Sequence, residues 1–212
     1  MPLKLGGALI VTAALLALAD AAASRAMACA FDNGGAGVFD GSFEAVRPKA
    51  SVVYFAIVDA VEHGVLDRSA FQTIVPGPAG YWQAVGRINE LHRRLAAAAG
   101  EQAAPAMSLL FIESNLWARF EPTPQGLTLS VHTPRAGEGD VVVLTSEAGL
   151  AAVLDGRLPV DAALERGLIA LDGEASTADR AKALIAAALD AQSASRALTA
   201  RSAPVRLFGP AR

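Results

Sequence analysis

The stretch Val141–Gly173, VVVLTSEAGLAAVLDGRLPVDAALERGLIALDG, decides the fold. Val141–Thr145 is a continuous apolar and β-branched run, the pattern of a strand buried on both faces. Ser146 can cap the helix that follows, and Glu147 suits its positive end. Leu150, Val153 and Leu154 then fall at i, i+3 and i+4 and form one apolar stripe. Asp155-Gly156 ends that helix, with Gly156 free to take a left-handed cap. Pro159 opens the next segment at a first helical turn. Ala162, Ala163 and Leu164 supply its buried side, and Gly167 stops it. Leu168–Asp172 returns as a second strand, ending at Gly173. Spacing alone gives an α+β globular domain.

Outward from this stretch the pattern continues. Upstream, Met107–Ile112 and Leu116–Glu121 are short β-like runs around Glu113-Ser114-Asn115. Gln125-Gly126 marks a turn, and Leu127–His132 alternates, with Leu127, Leu129 and Val131 on one side. Pro48 and Gly64 bracket a helix with Val53, Ala56, Ile57, Ala60 and Val61 on one face. Gly77-Pro78 precedes a second helix, roughly Tyr81 to Ala99, with the stripe Ala84, Val85, Ile88, Leu91 and Leu95. Downstream, Ser176 or Thr177 caps a last helix to about Ala191, with Ala181, Leu184, Ile185, Ala188 and Leu189 at helical spacing. The expected architecture is a four- to five-stranded, mostly antiparallel sheet covered by helices, with an N-terminal helical extension. The expected division is a signal peptide (1–28), a Gly-rich loop with two helices (29–104), an α+β domain (105–191) and a disordered tail (192–212).

The order of parts in Val141–Gly173 resembles the sterol carrier protein 2 family. The matching positions are Val142–Leu144, Leu150, Leu154, Gly156-Arg157, Ala163-Leu164, Gly167, Leu168 and Gly173. The resemblance rests on glycine punctuation and apolar spacing, and it extends more loosely from about Leu91 to Leu189. It implies a lipid-binding fold with an apolar tunnel between a sheet and its helices, in which the C-terminal helix closes over the ligand. The lining it implies is Phe111, Trp117, Phe120, Leu129, Val131, Val142 and Leu144 on the sheet. On the helices it is Leu150, Leu154, Leu164, Leu184 and Ile185. Residues of these kinds are more often plain core than ligand lining.

The leader has its own message. Lys4 is a brief positive segment, Leu5–Ala19 is uncharged and apolar, and Ala26-Met27-Ala28 is a small-x-small cleavage site. The apolar run is shorter than the ~20 residues a membrane span needs. Export to the periplasm or cell envelope is therefore expected, whereas members of the resembled family are mostly intracellular. Cys29 would become the first mature residue, which opens a lipoprotein alternative. Ala26 stands where leucine is usual for that modification. Cys29 is the only cysteine, so no internal disulfide can form. A net charge of −3 over 212 residues excludes nucleic acid as the main partner. In the tail, Arg196, Arg201, Arg206 and Arg212 could touch anionic headgroups. The apolar helix Pro48–His63 could serve a homodimer interface.

Signs of chemistry are sparse. The histidines, His63, His92 and His132, lie apart and show no metal spacing. There is no G-x-S-x-G elbow and no cofactor motif. The Gly-rich Asn33–Ser42 loop lacks the spacing of a phosphate cradle, and Asp32 and Asp40 do not match a calcium loop. Glu113-Ser114-Asn115 is the one dense polar group among the strands, and reads as a turn or bulge or as a pocket lining. The expected function is non-catalytic binding or carriage of a lipid, fatty acyl, phospholipid or sterol-like. An accessory interaction module with a filled core is the alternative. A third reading, an enzyme, requires Glu113 or His132 to face the cavity with a shifted pKa.

Overall fold

The computed structural model describes residues 45–68, 77–100 and 104–201. The leader, Cys29, the Gly-rich loop and Arg206 and Arg212 lie outside them. In chain order the elements are α1 (Arg47–Glu62), α2 (Gly77–Ala99), β1 (Met107–Phe111), β2 (Leu116–Thr123), β3 (Gly126–Thr133) and β4 (Val141–Thr145). Then come α3 (Glu147–Leu154), α4 (Val160–Glu165), β5 (Ile169–Asp172) and α5 (Ala175–Arg201). The five strands form one sheet in the order β3-β2-β1-β4-β5. The central pair, β1 with β4, is parallel, and the other pairings are antiparallel. The fold is α+β with a five-stranded mixed sheet.

Strand alternation sorts the side chains onto two faces. The cross-strand partners Leu109, Ala118 and Val143 point to one face, with Met107, Phe120 and Val141. Helices α2, α3 and α5 cover this face. Ser108, Leu110, Arg119, Val142 and Leu144 point to the other. Helix α1 lies there over β4 and β5, burying Ala50, Val53, Ile57 and Ala60. Lys49 fixes its start by donating from Nζ to Leu171 O at 3.2 Å and to Asp172 Oδ1 at 2.5 Å. The two N-terminal helices thus sandwich the sheet and share one hydrophobic core with it.

Local chemistry explains the ends of these elements. Ser146 accepts the Gly149 N–H at 2.7 Å, the cap expected for α3. Gly156 closes α3 at φ +70°, and the Arg157 N–H reaches back to Ala152 O at 2.9 Å. Pro159 is the residue before α4 rather than within its first turn. Helix α5 starts differently from the expectation. Glu174 accepts from the Ser176 N–H at 3.1 Å and the Thr177 N–H at 3.0 Å, so a carboxylate caps it. The hydroxyl of Ser176 and these N–H groups hold Glu174 down at about 2. The same helix runs to Arg201, past Ala191, because alanine, glutamine and arginine beyond Asp190 are good helix formers. On the α1 face, Asp140 is buried and accepts from Ser108 Oγ at 2.6 Å and Arg119 Nε at 2.9 Å. This pair ties β1, β2 and the loop before β4 together.

Candidate functional site

The interior between the sheet and its three-helix layer is an apolar seam. Met107, Leu109, Phe120, Val143 and Ile169 form its sheet side. Leu91 and Leu95 from α2, Leu150 from α3, and Ile185 and Leu189 from α5 face them. Thr145 is the single polar side chain of the lining, and its hydroxyl is engaged with Leu168 O at 2.8 Å. The void left between them is ≈ 10 Å³. A cavity must offer roughly 10–15 Å³ to hold one water, so the seam is closed at rest.

The helices that close it are held in different ways. Helix α2 is tied to α3 by Arg94 Nη2, which donates to Leu154 O at 2.9 Å, and by the Arg87–Glu147 ion pair at 2.8 Å. It is tied to β3 by His92, whose Nε2 lies 2.6 Å from Leu127 O. A carbonyl only accepts, so that nitrogen carries the proton. Over 175–190, helix α5 has no such tie. Among the described residues, 175–190 make no side-chain hydrogen bond or ion pair to another element beyond the Glu174 cap. Ala181, Ile185, Ala188 and Leu189 hold it to the core by apolar contact alone.

At the carboxyl ends of β1 and β4 the seam gives way to a polar corner. The turn after β1 places Glu113, and Asn115 takes φ +49° there. The start of α3 places Ser146 and Glu147. The Glu147 N–H donates to Glu113 Oε2 at 3.4 Å, so two carboxylates share the end of one helix. Burial pushes the Glu113 carboxyl up to about 7, against its own backbone N–H, and the Glu147 charge adds to the rise. Burial also raises Glu147, opposed by Arg87 and by the nearby Ser114 hydroxyl. Ser114 Oγ and Glu147 Oε1 are buried and make no hydrogen bond of normal geometry. Gly149 belongs to this corner. A Cβ there would meet Ser146 Oγ at 2.9 Å and Thr145 Oγ1 at 3.2 Å.

No family model matches the chain, and no curated protein matches it. The fold is similar to that of sterol carrier protein 2. That match has 19% identity and a TM-score of 0.35, over 50% of this chain and 95% of the other. A conserved hypothetical protein from Thermus thermophilus, described as possibly a sterol carrier protein, matches over 49% of this chain and 80% of its own. Its identity is 23% and its TM-score 0.29. A double mutant of the sec-alkyl sulfatase PisA1 matches at 19% identity and a TM-score of 0.37, over 46% of this chain. The match covers 15% of the sulfatase chain. These are likenesses between distant chains, and the functional reading stands on the geometry of the seam.

Of the residues singled out in the sequence, the structure brings Phe120, Leu150 and Ile185 together in the seam lining. Phe111, Leu129 and Val131 point to the same sheet face beyond that lining. Trp117, Val142 and Leu144 point to the α1 face, since alternation separates them from Val143 and Phe120. Leu154 is buried at the end of α3, while Leu164 and Leu184 are half-buried around the core. Leu91, Leu95, Met107, Leu109, Val143, Thr145, Ile169 and Leu189 complete the lining, although the sequence does not mark them as lining residues. Period-two counting from Phe120 and its partner Met107 would have found most of the strand residues. His132 occupies a bulge in β3 at φ +63°, and its ring lies 5.8 Å from that of Tyr81. Glu113 has the displaced pKa that an enzyme would need, but it lines a groove beside α1 and not the seam. Among the described residues no cluster of His, Cys, Asp or Glu could hold a metal ion, and no helix is long and apolar enough to cross a membrane.

Proposed function

We propose that this protein binds a hydrophobic small molecule or lipid in the seam between the sheet and α5, without catalysis, and does so in the periplasm or cell envelope. One observation carries the reading. Apart from Thr145, whose hydroxyl is engaged with Leu168 O, the seam is apolar, and over 175–190 the helix that closes it is held there by apolar contact alone. Such a helix can lift without breaking a buried polar bond. An incoming acyl chain then replaces the lost contacts. At ~0.8 kcal/mol per buried methylene, about twelve methylenes supply ~10 kcal/mol against the cost of parting α5 from the sheet. Export rests on the sequence of the leader.

A second reading has its own support. With a void of ≈ 10 Å³ the resting interior is already filled, as in an accessory module that takes no ligand. Uptake of a fluorescent fatty acid separates the two. Binding at one probe per chain, abolished by Ile185→Glu in a variant that keeps its circular dichroism, is expected for a lipid binder. Absence of uptake by the folded wild-type chain would leave the filled module.

A further inference from the structure

We propose that the groove between helix α1 and the β1–β2 turn is a second binding site, for a small organic ammonium ion, with Glu113 as its counter-charge and Tyr54 and Phe55 as its aromatic wall. The groove encloses ≈ 340 Å³ and is lined by Ala50, Ser51, Tyr54, Phe55, Ile112 and Glu113. It opens on the α1 side of the molecule, whereas the lipid seam lies under α2, α3 and α5.

Charge decides the occupant. The corner behind the groove holds two carboxylates, Glu113 and Glu147, and one guanidinium, Arg87. Arg87 is committed to Glu147 at 2.8 Å. No Lys, Arg or His among the described residues pairs with Glu113. The α1 side of the groove adds no charge, and Lys49, one turn away, is held by Asp172 at 2.5 Å. Once Glu113 ionises, one negative charge is therefore left without a cation at the edge of a groove whose other lining is mostly apolar. A bare inorganic cation would leave its hydration shell without finding enough oxygen ligands there.

The wall suits a softer cation. Tyr54 is 47% exposed and Phe55 69%, unusual for rings of this size, and they meet edge to face at 5.7 Å. Aromatic faces attract quaternary and tertiary ammonium groups, whose methyl shells also bury well against Ile112 and Ala50. Carboxylate and rings together select for charge and for apolar bulk.

Choline and its neutral carbon analogue 3,3-dimethylbutan-1-ol are the probes, titrated into the full chain and followed by the ring resonances of Tyr54 and Phe55. Choline is expected to bind with an affinity that rises about tenfold from pH 6 to pH 8, as a carboxyl titrating near 7 becomes ionised. The alcohol is expected to bind at least tenfold more weakly at pH 8. Glu113→Gln should cost at least tenfold in choline affinity and abolish the pH dependence, while fatty-acid uptake stays at the wild-type level. Phe55→Ala should weaken choline several-fold and keep the pH dependence. Equal affinity for alcohol and choline, or wild-type binding by Glu113→Gln, would overturn the proposal. So would a dimer in sedimentation that Phe55→Ala dissociates.

Discussion

Replacing Glu113 by glutamine should stabilise the protein at alkaline pH and leave it nearly unchanged in acid. The carboxyl sits at the polar corner with Glu147 as its neighbour and no cation of its own. The native state keeps its proton up to about 7, whereas an unfolded chain releases it near 4.5. Below 4.5 both states hold the proton, and the stabilising effect of the raised pKa is fully present. It is lost as the pH rises through the native value. Each decade between the two values is worth ~1.4 kcal/mol, so the loss approaches ~3 kcal/mol by pH 8. Glutamine keeps the shape of the protonated acid and never ionises. Urea denaturation at pH 4.5 and pH 8 reads the effect. The variant should match wild type within about 1 kcal/mol at pH 4.5 and exceed it by roughly 2–3 kcal/mol at pH 8. A variant less stable than wild type at pH 8, or an equal difference at both pH values, would refute the account of this corner.

Other substitutions probe the same frame. Arg87→Ala removes the cation paired with buried Glu147 and should cost about 3 kcal/mol at pH 8, less at pH 5, by the same denaturation assay. Gly149→Ala drives a methyl group into Ser146 Oγ and should cost about 1–3 kcal/mol without changing the pH dependence. Asp140→Ala strips the acceptor from Ser108, Gly137 and Arg119 and should cost about 3 kcal/mol, seen as a lower urea midpoint with unchanged slope. Intact mass of protein from the periplasmic fraction should begin at Cys29, and a mass that retains residues 1–28 would contradict cleavage of the leader.

The elements themselves were legible because their punctuation is strong. Ser146, Gly156 and Gly167 each terminate a segment where their chemistry requires it, and the alternation of Leu127–His132 is clean. The sheet order was harder to read. Nothing local to Met107–Phe111 or Val141–Thr145 shows that these distant runs lie side by side and parallel. Both are buried on two faces, so their sequences lose the alternation that would tell which side chains face which helix layer. Val142 and Leu144 therefore looked equivalent to Val143. Helix α2 was legible as an amphipathic helix, but its stripe does not name its partner. Leu91 and Leu95 turn out to close the seam. Glu113 was visible as part of a polar cluster. Its environment was not, since the second carboxylate and the arginine come from 34 and 26 residues away in sequence.

Native mass spectrometry of the chain purified without detergent reads whether the seam takes up a lipid. A stoichiometric adduct that extracts as lipid and disappears in Ile185→Glu with the fold retained is expected. A clean apo mass for wild type, with no uptake of added fatty acid or sterol, would contradict it.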